Sequence, residues 1–125
     1  MSKPLNKQEL HNLAMNIVGK DLERQGYEFV AINSKLKRNP QYICIDKNSQ
    51  YYFVIVKAVL MPNSADDYDV IWMETFRKHA RDKDAKVLYA GVSLGNPEQE
   101  AGPVYLDKPY LLKYEGVIDI DVDLN

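Results

Sequence analysis

The chain has 125 residues, 46% of them hydrophobic and 27% charged, with a net charge of -2 at pH 7. That length suits one domain, which can bury roughly two-thirds of its unfolded surface and needs no disulfide or metal staple. The near-neutral balance excludes an overall basic field for nucleic acid or anionic membrane, and no apolar run approaches the roughly 20 residues of a membrane span.

Asn6 is a good N-cap and Glu9, three residues later, completes a capping-box pattern. Leu10, Leu13, Ala14, Ile17, Val18 and Leu22 follow at helical spacing, and Gly26 suits a helix end, so the pattern predicts a helix over residues 7–25. An apolar run over 27–33 predicts a strand, and Lys35-Leu36-Lys37-Arg38-Asn39-Pro40 a basic loop. Strands are predicted over 41–46 and 51–60, joined by turn residues Asp46 to Gln50. The second of them carries Phe53, Ile55 and Lys57 on one face and Tyr52, Val54, Val56 and Ala58 on the other, which reads as a central strand covered on both sides. Met61-Pro62-Asn63-Ser64 breaks the pattern. Asp66 or Asp67 is then expected to cap a helix running to Asp82, with Ile71, Trp72, Thr75, Phe76, His79 and Ala80 on one face. A strand is predicted from Lys86 to Val92, and an irregular loop between Gly95-Asn96-Pro97 and Gly102-Pro103. The tail holds strand-like runs at Val104 to Leu106, Tyr110 to Tyr114 and Val117 to Val122.

The charge is uneven. Residues 27–60 carry Lys35, Lys37, Arg38, Lys47 and Lys57 against Glu28 and Asp46, a net +3. Residues 98–125 carry Glu98, Glu100, Asp107, Glu115, Asp119, Asp121 and Asp123 against Lys108 and Lys113, a net -5. The acidic tail is either a solvated edge or a neighbour of the basic hairpin. The one cysteine, Cys44, excludes an internal disulfide and is expected as a small buried hydrophobe, in keeping with a reducing compartment. Lys7, Glu9 and His11 break the first apolar residues, so no signal peptide is expected and the protein is expected in the cytoplasm, away from membranes.

The hairpin Asn39-Pro40-Gln41-Tyr42-Ile43-Cys44-Ile45-Asp46 and Phe53-Val54-Ile55-Val56-Lys57, set in the order helix–strand–strand–strand–helix–strand, resembles the PD-(D/E)xK nuclease superfamily. The likeness is strongest to its small bacterial resolvase-like members, whose helix also ends in a glycine-aromatic step like Gly26-Tyr27. It covers residues 10–92. The resemblance implies a restriction-endonuclease-like α+β fold: an αβββαβ core over 6–92, with a central mixed sheet flanked by helices. The tail lies outside the resemblance and is expected as a short β-rich extension over 103–122 of a single domain spanning residues 1–125.

In an intact site of that superfamily, acid-x-lysine on one strand puts both side chains on one face, and the acids hold Mg²⁺ through hard oxygen ligands. The metal then helps make a nucleophile from water. Here the acid positions read Gln41 (or, one residue on, Tyr42) and Ile55, the helix acid falls near Met15, and only Lys57 remains. The resemblance therefore implies a scaffold without catalysis, an inactive nuclease with no cofactor that binds a protein or nucleic-acid partner. A second reading is a metal-dependent nuclease with relocated ligands, in which Lys57 is joined by Glu74 and Asp46 around Mg²⁺ or Mn²⁺. Salt bridges from Lys57 to Glu74, Asp46 or Glu28 are the alternative use of those acids. A third reading is a structural homodimer, since Tyr51, Tyr52, Tyr105, Tyr110 and Tyr114 suit either half-buried sheet faces or an interface.

Other constellations are thin. His11 and His79 are the only histidines, and His79 is expected as a hydrogen-bonded core residue. With Cys44 alone there is no zinc or iron–sulfur spacing, and no phosphate-cradling glycine loop occurs. Arg77, Lys78, Arg81 and Lys83 either complement the second helix's dipole or join Lys35, Lys37 and Arg38 in a phosphate-contacting surface.

Overall fold

The computed structural model of the protein describes residues 3–35 and 39–123. The elements are α1 (Lys7–Arg24), β1 (Glu28–Ile32), β2 (Tyr42–Ile45), β3 (Tyr51–Leu60), α2 (Val70–Arg81), β4 (Ala85–Gly95), β5 (Leu111–Lys113), β6 (Ile118–Asp119) and α3 (Ile120–Asp123). They form a mixed α+β arrangement with one six-stranded sheet, ordered β1-β2-β3-β4-β5, in which β6 also pairs with β4. The pairs β1–β2 and β2–β3 are antiparallel, while β3 and β4 run parallel through α2.

Local chemistry accounts for α1. The Asn6 side chain accepts from the Glu9 amide at 2.8 Å and Glu9 accepts from the Asn6 amide at 3.0 Å. Gly26, at φ +94, supplies the left-handed residue that lets the chain turn into β1.

The sheet is covered on both faces. Val54, Val56, Leu88, Ala90 and Val92 meet Leu13, Ala14, Val18 and Leu22 of α1. Phe53, Ile55, Val87 and Tyr89 meet Met73 and Ala80 of α2 and Ile120 of α3. Each of the Val, Leu, Ile, Phe and Met side chains among them contributes about 1.5–3 kcal/mol by leaving water. Among the described residues no helix is long and apolar enough to cross a membrane.

The second helix differs from expectation in start and in facing. Its cap is Asp69, whose side chain accepts from the Trp72 amide at 3.1 Å, not Asp66 or Asp67. The delay has a cause in the preceding segment, which is pinned across β4. The Ala65 carbonyl accepts from the Tyr89 hydroxyl at 2.6 Å, and the Ala65 amide donates to Ser93 Oγ at 3.3 Å. Gly91 permits that crossing, because a Cβ there would lie 2.3 Å from the Ala65 oxygen. Asp66 meanwhile binds Lys113 Nζ at 2.8 Å. Starting at Val70, α2 buries Met73 and Ala80, while Ile71 is 82% exposed. His79 is exposed rather than core and tilts toward Phe53 at 6.0 Å.

The C-terminal region also departs from the predicted strands. Val104 to Leu106 forms none; the Val104 carbonyl instead accepts from the Leu5 amide at 2.9 Å. The run from Val117 splits into β6 and α3, because Asp119 Oδ1 accepts from the amides of Asp121 and Val122 and caps a helical turn. Among the described residues the tail's polar contacts go to the helices: Asp121 pairs with Arg77 of α2 at 2.9 Å, and the Tyr114 hydroxyl donates to Asp21 of α1 at 2.7 Å.

Candidate functional site

β2 and β3 pair only as far as Tyr42 and Val54. Past that point the chain of β2 turns away at Gln41, a residue 1% exposed. Its amide donates to the Val54 carbonyl at 3.0 Å and its carbonyl accepts from Asn33 at 2.8 Å. Its side chain takes over the role of the missing strand: Oε1 accepts from the Val56 amide at 2.7 Å, and Nε2 donates to Asn39 Oδ1.

Beyond Gln41, residues Lys57 to Leu60 pair with Gly91 to Leu94 of β4 on one side and with no described strand on the other. Backbone groups alternate along a strand. Since the Val56 amide faces Gln41, the N–H and C=O of Ala58 and the N–H of Leu60 face this open edge.

A cleft of about 580 Å³ opens on that edge. Val56, Ala58 and Leu60 form its floor, Lys7, Leu10 and His11 of α1 one wall, and Tyr68, Asp69 and Trp72 the wall opposite. Asn39 and Gln41 close one end. Its size falls in the range of sites that enclose small ligands.

His11 is the unusual member. It is 2% exposed, and its Nε2 is buried without a hydrogen-bond partner among the described residues. Burial holds its pKa below the ordinary 6.5, so the ring is neutral at pH 7. An unsatisfied buried polar group costs about 1–3 kcal/mol.

Lys57 lies exposed at the cleft, and among the described residues it makes no ion pair with Glu74, Asp46 or Glu28. Asp46 sits in the β2–β3 turn, at the far end of β3, roughly 20 Å away at strand spacing. Its carboxylate accepts from the amides of Gln50 and Asn48 and from the Tyr52 hydroxyl, which together hold its pKa low. Glu74 pairs with Arg77 one turn along α2. Of the acids in the relocated-ligand reading, Asp46 thus lies far from Lys57 and Glu74 is engaged by Arg77. Ile55 is fully buried against α2, and Met15 is 3% exposed with its carbonyl accepting from Tyr42 at 2.7 Å.

The basic surface is likewise divided. The Arg77 side chain is only 11% exposed and held by Glu74 and Asp121, so it faces inward. Lys78 and Arg81 are exposed late in α2. Lys35 follows β1, where Ser34 accepts from Gln8 near the start of α1, at the opposite end of the sheet. Lys37 and Arg38 lie outside the described residues.

The donors present do not fit a Mg²⁺ or Mn²⁺ centre, which wants several hard oxygens in octahedral array. Gln41 Oε1 is engaged by Val56, and the one carboxylate lining the cleft among the described residues, Asp69, caps α2. Among the described residues no three His, Cys, Asp or Glu side chains gather as a metal site.

Sequence reasoning passed over His11, Lys7, Asn39 and Trp72 as neighbours. One signal was available: His11 precedes Ala14, Met15 and Val18 by three, four and seven residues, a lone polar side chain in an apolar stripe.

Fold and site together define a mixed α+β domain with a ligand-sized cleft at an open strand edge. Residues 8–120 match the model of the family described as a domain of unknown function (DUF8840), and the chain belongs to that family. No curated protein and no solved structure matches it.

Proposed function

We propose that this chain is a non-catalytic binding domain on a restriction-endonuclease-like scaffold, with the cleft beside Lys57 as its working surface. The scaffold reading is supported by the order α1-β1-β2-β3-α2-β4, an antiparallel meander followed by a parallel pair. The observation that carries the loss of catalysis is Gln41. Where a nuclease of that kind would hold metal, this side chain accepts from the Val56 amide inside the sheet, and extending the strand register by one pair sets it opposite buried Ile55. Both positions serve the fold.

Calorimetric titration with Mn²⁺, beside the Lys57→Ala and Glu74→Ala variants, tests the reading. The expected result is no saturable heat at millimolar metal. Saturable binding together with DNA cleavage that is lost in Lys57→Ala would overturn it.

A homodimer is the second reading, favoured by edge strand β5, whose Leu111 and Leu112 are 41% and 47% exposed. Sedimentation at micromolar concentration decides it: a monomer removes the dimer.

A further inference from the structure

The open edge of β3 is a short template for one more strand. At strand spacing, Lys57 to Leu60 offers about 13 Å of edge. It presents a donor, an acceptor and a donor: the Ala58 N–H, the Ala58 C=O and the Leu60 N–H. The complement of that pattern is a peptide backbone, which adds to a sheet edge through such bonds.

The edge also has a direction. Asn39 and the Gln41 side chain close it beside Val56, so an added strand has to end there. Lys57 stands at that closed end, and Lys7 and His11 line the wall. Neither lysine is in an ion pair among the described residues. A strand running antiparallel to β3, as β2 does, would bring its C-terminus to Lys57.

His11 adds a polar side chain to the wall. Its buried Nε2 has no partner among the described residues, and a turn of the ring toward the cleft would let the Nε2–H tautomer donate to a carboxylate oxygen. The remaining lining, Leu10 on one side with Tyr68 and Trp72 on the other, suits the alternating side chains of an extended chain.

We propose that the cleft captures the C-terminal end of an extended peptide, laid antiparallel along Lys57 to Leu60 with its terminal carboxylate between Lys57 and His11. This inference rests on the binding-domain reading above and names its ligand.

Trp72 is the sole tryptophan and lines the cleft, so its emission reports occupancy. The full chain is titrated with a positional-scanning tetrapeptide library bearing a free C-terminal carboxylate, and with the same peptides amidated. Saturable quenching by preferred sequences is expected, weakened about tenfold or more by amidation, since a charge-assisted contact is lost. N-methylation at the peptide residue facing Ala58 should abolish binding. Lys57→Met, at an exposed position, should weaken the acid form about tenfold and leave the amide unchanged.

Equal binding of acid and amide, or no change in Trp72 emission from any sub-library at millimolar peptide, would overturn the proposal. Tighter quenching by a single-stranded oligonucleotide than by any peptide would overturn it in favour of nucleic acid. Mn²⁺-dependent cleavage would remove the parent reading as well, whereas silent peptides beside absent Mn²⁺ binding would remove the peptide alone.

Discussion

Replacing His11 by leucine should make the protein more stable and its cleft less useful. The ring is 2% exposed on the helix face that carries Ala14, Met15 and Val18, and its Nε2 has no partner among the described residues. Leucine removes the unsatisfied group, worth about 1–3 kcal/mol. Its different shape returns up to about 1 kcal/mol in repacking. A net gain of about 1–2 kcal/mol at pH 7.5 follows, or roughly 3–6 °C per kcal/mol in melting temperature for a domain of this size. Urea unfolding followed by circular dichroism measures it, with an unchanged slope as the control. The pH dependence supplies a second readout. Burial depresses the folded pKa of His11 below 6.5, so as pH falls past 6.5 the unfolded chain takes up a proton that the folded one refuses. The wild-type protein therefore loses this contribution to stability below pH 6.5, levelling off below the folded pKa, and the leucine variant does not. The gap between them should widen from pH 7.5 to 5.5. A variant less stable than wild type, or a gap that stays constant with pH, would refute the reasoning.

Gln41→Leu should cost about 2–4 kcal/mol, because it orphans the buried Val56 amide and deletes the bond to Asn39; a loss under about 1 kcal/mol in the same urea assay contradicts the structural role given to this side chain. Gly91→Ala should destabilise by about 1–3 kcal/mol, since the new methyl meets the Ala65 carbonyl at 2.3 Å and that backbone is tied to Tyr89; an unchanged melting temperature would mean the crossing segment is not held there. Cys44 is fully buried and its thiol is pushed up to about 11 by burial and by nearby Asp46, so reaction with an aromatic disulfide at pH 8 should track unfolding; rapid stoichiometric labelling of the native protein would place the thiol elsewhere.

What could be read from the sequence was set by near neighbours along the chain. The capping box at Asn6 and Glu9, the glycine after α1 and the two apolar faces of β3 are local patterns with one physical outcome each, and they fold as read. The start of α2 could not be read that way. Asp66, Asp67 and Asp69 are equally good caps in isolation, and the choice falls to a contact between Ala65 and Tyr89, 24 residues apart. The facing of α2 follows from that start, which is why Ile71 turns outward and Arg77 inward. The tail fails for a related reason: Val117 to Val122 alternates like a strand, but Asp119 offers the backbone a cap in place of the ladder. The site was half visible. Lys57 and Gln41 stood out by resemblance, whereas His11 joins them only when α1 lies over β3.

The cleft itself comes from a difference in strand length. β3 has ten residues and β2 four, so the longer strand outruns its partner. Pro40 has no amide to give a ladder, and Gln41 meets the first vacant donor on β3 with its side chain, which ends the pairing there. An unpaired edge ordinarily invites uncontrolled strand addition, and a long outer edge would be open to it. Here the edge lies in a cleft between the start of α1 and the start of α2, whose walls restrict access to it. The same residues that end β2 thereby limit what can replace it. That coupling explains why Gln41 is buried and fully engaged while Lys57, one residue past the donor it satisfies, is left exposed.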